Sequence, residues 1–458
     1  MKSIAVKRKQ NHTQQVKKRK RLKLEQGKDE IVSSGGNALC ALYLRDVIDS
    51  NLPQNFQNRR SDAISDRDIL LTMVGMLTNA RTDFTNVNLY AEDKVFSSAF
   101  GINQLPSEET LRQRLDEFPA TKTQATLNQV NQQLLKNREF GTLKAGHLNL
   151  IPVDIDVSPL DNSGSNKQGV SFTYKKHDGF APIFAYIGTE GYMLNHELRQ
   201  GSQHCQVATP SFIGSCVDQL DELGLKGRCL IRLDSGNDAE ENFAHFGEEH
   251  IIIKRNLRQE KREQWLATAR RVGDEKKGTR EGKNVYTGFV DHLHPGGAKS
   301  TTERVSVAFE VIERLYDHDG NRLIFPEIEV NTFWSNLACS ADEIIALYHD
   351  HGTSEQFHSE LKSDMNVEQL PSGKFAINQL IMLCAMIAFN LLRTIGQEVI
   401  QRAHLAPVKI KVRRWRLKTV IQNIIYSPVR IIRHARTMKL RFGKFCPWFD
   451  VIKDIAEA

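Results

Sequence analysis

The stretch Leu148-Asn149-Leu150-Ile151-Pro152-Val153-Asp154-Ile155-Asp156-Val157-Ser158-Pro159 is where this chain changes its period. Upstream, apolar residues return at helical spacing, as in Ile69, Leu70, Met73 and Leu77. Within the stretch, Leu150, Pro152, Asp154 and Asp156 alternate with Ile151, Val153, Ile155 and Val157, and Ser158-Pro159 stops the run. This alternation predicts a strand whose end at Asp156 releases a carboxylate from the sheet into a loop-side site. Asp154 faces the same side by the period-two rule. One of the two aspartates is a candidate metal ligand.

Downstream, strand candidates Val170 to Tyr174, Ile183 to Gly188 and Tyr192 to Leu198 are separated by turn residues, as in an antiparallel meander. A helix over Ser211 to Leu223 follows, then an apolar strand Cys229 to Leu233, a helix Ala239 to Phe246 and a short strand Ile251 to Ile253. Asp234 ends the second apolar strand ahead of Ser235 and Gly236, so it too projects from a strand end. Antiparallel strands followed by alternating helix and strand is the order of a ribonuclease-H-like α/β core. Residues 259–330 interrupt that order. They contain strands Val285 to Val290, Val305 to Leu315 and Leu323 to Val330, with a hairpin signal at Asp317, His318, Asp319 and Gly320, and read as an inserted β-subdomain. The helical period then returns through Ala341 to Asp364 and Phe375 to Ile395.

Upstream of the strand, Leu39, Leu42, Val47 and Ile48 recur at helical spacing, and Ser107 stands as an N-cap before Glu108 and Glu109. The expected organisation is a flexible basic arm (1–30), a helical domain (31–145), an α/β core in two parts (146–258 and 331–398) around the insertion (259–330), and a basic helical C-terminal segment (399–458).

Composition narrows the function. With 458 residues, 40% hydrophobic and 26% charged, the chain suits a folded soluble protein and not a disordered one. The longest apolar run, Leu380 to Phe389, is about half of what a membrane crossing needs, and the N-terminus carries no apolar signal stretch. No membrane partner and a cytoplasmic, nucleoid-associated location are expected. The 7 cysteines are scattered without a CxxC pair, which supports neither a disulfide framework nor a cysteine zinc site.

The net charge of +7 is unevenly distributed. Residues 1–24 hold ten Lys and Arg, and residues 409–444 twelve, with no acid in either; the rest holds 40 basic and 55 acidic side chains. Cationic ends around an acidic body suit a polyanion gripped at the ends, since phosphate neutralisation releases counterions and drives nucleic-acid binding.

In the helical stretch Ala341 to Asp364, Tyr348, Glu355 and Lys362 are spaced seven apart, with His351 between the first two. Two strand-end aspartates and one helix glutamate are what two-metal phosphoryl chemistry requires, with hard oxygen ligands holding two Mg²⁺ ions about 4 Å apart. The chain resembles bacterial insertion-sequence transposases of the DDE superfamily, in the branch with a β-strand insertion between the second and third acids. That branch shows Tyr, two residues, Arg, three residues, Glu, six residues, Lys. Here Tyr348, Glu355 and Lys362 keep every spacing, and His351 replaces the arginine. Asp154-Ile155-Asp156-Val157-Ser158 resembles the first-acid strand and favours Asp156. Asp234-Ser235-Gly236 resembles the second-acid motif, and Pro106-Ser107 with Thr110-Leu111 a helix start before the core. The resemblance covers about residues 30–440.

It implies Asp156, Asp234 and Glu355 as catalytic and metal-binding acids, two Mg²⁺ ions with Mn²⁺ as a substitute, and double-stranded DNA, as element ends and target, for substrate. It also implies a homodimer in the synaptic complex. Tyr348, His351 and Lys362 would contact transferred-strand phosphates. Lys254, Arg255, Arg413, Arg414 and Arg416 are further expected DNA contacts. A histidine near its reference pKa of about 6.5 is only partly charged, so His351 would grip phosphate less firmly than arginine. Related enzymes place a stacking tryptophan in the insertion; Trp334, just past its last strand, is read as core ahead of that role. The rival functions are a ribonuclease-H-like nuclease or resolvase that never joins ends, and a non-catalytic DNA-binding derivative.

Overall fold

The computed structural model describes residues 24–60, 62–276, 281–295, 305–434 and 437–458. Most of the expected basic arm, residues 1–23, lies outside the described residues.

Five helices come first: α1 (Asn37–Asn51), α2 (Asp66–Thr78), α3 (Lys94–Phe100), α4 (Glu108–Leu115) and α5 (Ala120–Lys136). Side-chain caps set their starts. Ser65 accepts from Asp68 N at α2, Asp93 from Phe96 N at α3, and Ser107 from Thr110 N at α4.

Next come β1 (Leu148–Val157), β2 (Ile183–Ile187), β3 (Tyr192–Glu197), α6 (Thr209–Glu222), β4 (Cys229–Leu233), β5 (His250–Arg255), α7 (Arg262–Val272), β6 (Lys283–Leu293), β7 (Val305–Tyr316) and β8 (Arg322–Ser335). They build one mixed sheet of 10 strands in the order β6-β7-β8-β5-β4-β1-β2-β3, with Asp274–Lys276 beside β6 and Leu143–Ala145 beside β1. β4 runs parallel to both β1 and β5, whereas β2 is antiparallel to β1 and β3. β1 is central and almost continuously buried, as befits a strand covered on both faces.

The insertion strands are not a separate sheet. The far end of β8 pairs antiparallel with β5, Ile252 opposite Ser335 and Arg255 opposite Thr332, so β6 to β8 lengthen the central sheet. Burial explains the join. The first half of β8 is mostly exposed, while Thr332, Phe333, Trp334 and Ser335 are buried.

After β8 the chain forms α8 (Ala341–Asp350), a 3₁₀ turn His351–Thr353, α9 (Ser354–Ser359) and a π turn Glu360–Asp364. The single helix expected over Ala341 to Asp364 is thus one rod that departs from α geometry twice, first around exposed Gly352 and again at its π turn. α10 (Phe375–Gln401) follows. It is long and apolar enough to cross a membrane, but 83% of its most apolar window is buried inside the protein. It packs on α2, α5 and β3, so the N-terminal helices and one sheet face share its core. α6 and α7 cover the opposite face with Phe212, Ile213, Leu220, Trp265 and Leu266.

The C-terminal segment, expected as a basic helical piece, is mixed: helical turns over residues 417–425 precede a pair of strands. Arg430, Arg433, Lys439 and Arg441 lie on a hairpin, β9 (Val429–His434) and β10 (Thr437–Phe442), which also pairs with Ile31–Val32. Local period two is the reason: Val429 and Ile431 are buried while Arg430 between them is exposed, and Leu440 and Phe442 flank exposed Arg441. A last helix, α11 (Phe449–Glu457), closes the chain.

Candidate active site

Parallel pairing of β1 with β4 places the two strand ends side by side. Ile155 is in register with Leu233, so Asp156 and Asp234 follow as neighbours. One pair back, Asp154 is in register with Arg232 on the same face.

The two levels differ in how their charges are met. Asp154 is buried, and Arg232 Nε and Nη2 donate to its two oxygens at 2.7 and 2.9 Å. His351 Nδ1 lies 2.8 Å from the same carboxylate. Arg232 Nη1 also donates to Leu347 O at 2.6 Å and to Asp350 at 3.1 Å, tying the end of α8 to the sheet. Burial pushes the Asp154 carboxyl up, but Arg232 and His351 outweigh it and hold the group below the usual carboxylate range. His351 answers in kind: burial lowers its pKa, and the Asp154 charge and hydrogen bond leave it raised.

Asp156 and Asp234 have no such partner. No Lys or Arg side chain stands within ion-pair distance of either among the described residues. Asn237 Nδ2 donates to Asp234 at 2.7 Å. Burial first, then the charge of Asp156, raises the Asp234 carboxyl above its ordinary value. His358 Nε2 lies 3.3 Å from Asp156 without hydrogen-bond geometry, and this buried nitrogen has no other partner. Two adjacent carboxylates short of positive charge suit a cation, and oxygen ligands suit a hard one.

The rod α8–α9 faces this end of β1. His351 meets Asp154, His358 meets Asp156, and Lys362 Nζ donates to Pro159 O at 2.5 Å. Glu355 falls between the two histidines, four residues after one and three before the other, on the same side of the rod. Its side chain is exposed and makes no hydrogen bond or ion pair among the described residues. Among those residues, no three His, Cys, Asp or Glu side chains are grouped closely enough to hold a metal ion. The structure therefore brings Asp156 and Asp234 together and leaves Glu355 on the facing rod, open to solvent.

The remaining expected contacts divide. Tyr348 packs at a tilt against Phe333, ring centroids 4.7 Å apart, and burial with the charges of Asp234 and Asp156 raises its hydroxyl pKa. Lys362 is held down by burial, with Glu368 and Asp156 pulling the other way. His351, expected at DNA phosphate, is buried against Asp154 instead. Arg255 pairs with Glu260 and lies 5.2 Å over Trp334, itself buried and donating to Asp238 at 2.8 Å. Lys254, next to it on β5, is only partly exposed. Arg414 and Arg416 are engaged by Glu360 and Asp364, and Arg413 is exposed.

Residues 14–458 match the family described as transposase DDE domain group 1. The chain belongs to that family. DDE transposases act with divalent metal ions, and the mixed α/β architecture around one large sheet accords with such an enzyme. No curated protein matches the chain. Among solved structures it is similar to piggyBac transposase in a cryo-EM synaptic complex with hairpin DNA, at 11% identity and a TM-score of 0.43, covering 86% of this chain and 80% of that one.

Two residues of this candidate site escaped the sequence reading. Arg232 was signalled by its position, a charge in the middle of an apolar five-residue strand. His358 was signalled only by lying one turn after Glu355.

Proposed function

We propose that this chain is a DNA transposase that cuts at the ends of a mobile element and joins the exposed 3′-hydroxyl to target DNA. The observation that carries the proposal is the Asp156–Asp234 pair, set at neighbouring parallel strand ends with no Lys or Arg side chain paired to either among the described residues. Strand order supports a ribonuclease-H-like core: in β3-β2-β1-β4-β5 only β2 runs against the rest.

Asp156 and Asp234, completed by Glu355 from the facing rod, would hold two Mg²⁺ or Mn²⁺ ions. Bound there, these supply the positive charge that activates a water or 3′-hydroxyl and stabilises the leaving oxygen. The chain's own contribution is positioning. Arg232 and His351 fix the rod against β1 on one side of Glu355, and the Lys362 bond to Pro159 fixes it on the other. Tyr348 presents its hydroxyl in its protonated form beside the acids, as a donor to strand phosphate. The helices of residues 31–145 and the basic ends supply the remaining grip on double-stranded DNA, and work on two ends implies two copies of the chain.

Glu355→Gln should retain DNA binding and lose strand cleavage; equal cleavage by variant and parent would remove the glutamate from the mechanism. A pre-cleaved end with a free 3′-hydroxyl distinguishes joining from cutting alone, since a nuclease or resolvase of the same fold yields no joined product.

A further inference from the structure

A cavity of about 330 Å³ opens between the sheet, the rod and the segment before Trp415. Arg413 and Arg414 line it together with Thr353 and Gln356, and so do Asp154, Arg232 and Asp350. The acids Asp154 and Asp350 are both already bound by Arg232. Glu360 is shared by Arg414 at 3.1 Å and Arg393 at 2.7 Å, and Arg416 takes Asp364 at 2.8 Å. With Arg232 included, five guanidinium groups stand at or beside the cavity against the four carboxylates of Asp154, Asp350, Glu360 and Asp364, and Arg413 pairs with none of them among the described residues.

The crowding shows in Arg414. Burial, then the charge of Arg393, brings its pKa down to about 10, and Glu360 only partly offsets them. Its guanidinium lies 4.4 Å over the Phe357 ring and donates to Gln356 Oε1 at 2.7 Å, which fixes its orientation. Arg413, exposed, has no acidic partner among the described residues.

We propose that this cavity is a phosphate-binding subsite in which Arg413 and Arg414 hold a phosphodiester of the DNA entering the active site. The proposal rests on the transposase reading and deepens it. It moves one phosphate grip from His351, which is turned inward on Asp154, to the C-terminal segment. A phosphate supplies the acidic partner that Arg413 lacks, and the planar guanidinium fork matches its oxygens.

The test measures binding of a short DNA duplex by the full chain across a salt series, for the parent, Arg413→Gln, Arg414→Lys and Arg322→Gln, an exposed control on β8. Arg413→Gln should lower the slope of log affinity against log salt by about 1, and Arg322→Gln should leave it unchanged. Arg414→Lys keeps the charge but loses the fork, so it should weaken binding roughly tenfold at the parental slope. Replacing single phosphates by neutral methylphosphonates should reveal one position that matters to the parent and no longer to Arg413→Gln. An unchanged slope with no such position overturns the subsite. If inorganic phosphate binds the parent in an Arg413-dependent way while the duplex slope stays fixed, the cavity takes a free anion and the DNA assignment is overturned. Absence of strand joining by the parent would sink the transposase reading but leave the slope result standing; a flat slope with joining intact removes the subsite alone.

Discussion

Asp154 and Asp156 stand two residues apart on one face of β1 and have opposite surroundings. Asp154 spends both oxygens on Arg232 and His351 in the interior, whereas Asp156 shares its strand end with Asp234 and meets only a poorly aligned histidine. The same side chain is structural at one level and short of a cation at the next. What separates them is the strand in register with each, which offers an arginine to the first and a second acid to the other.

The comparison breaks most visibly at its satisfied level. Asp154→Ala leaves Arg232 buried beside an empty place, and removing one partner of a buried pair costs about 3–5 kcal/mol; the loss should appear as a lower urea midpoint with unchanged slope. Next in size is the response to metal. Mg²⁺ or Mn²⁺ at about a hundredfold excess over Kd should stabilise the parent by about 2.7 kcal/mol, and Asp156→Asn should abolish that gain in a thermal melt. Asp234→Asn should instead raise stability without metal, by about 0.5–2 kcal/mol, because it removes a buried repulsion, while cleavage is lost.

The smallest effect is the pH slope, which has opposite signs at the two levels. Asp154, held below its unfolded value of about 3.9, stabilises fully above that pH and loses the contribution as pH falls through its folded value. Asp234, held above it, costs nothing in acid and destabilises as pH rises from about 3.9 through its folded value. His351 stabilises fully below about 6.5 and loses this as pH climbs through its raised value. Urea midpoints against pH should show Asp154→Asn flattening the acid limb and Asp234→Asn flattening the decline above it.

Local pattern carried far along this chain. The Ser107 cap and the strand Cys229–Leu233 stand in the structure where the residues place them, because caps and buried strands are decided within a few positions. What local pattern could not carry was partnership. That Asp154 belongs to Arg232 depends on register between strands far apart in sequence, and with it goes the inward turn of His351. At residues 429–442 the density of positive charge hid an alternation that was present all along. The join of β8 to β5 was hidden for a different reason, since β8 reads as one strand although its two halves sit in different environments.

The buried helix Phe375–Gln401 has a bearing on how the chain reaches its native state. The helices of residues 37–136 leave the ribosome well before the surface that completes their core, which follows only at Phe375–Gln401. Leu39, Leu70, Met73 and Leu127 must then wait, uncovered, until that late helix arrives. Such long-range closure slows folding and exposes apolar surface meanwhile. A nascent chain truncated before residue 375 should be a client for chaperones and proteases.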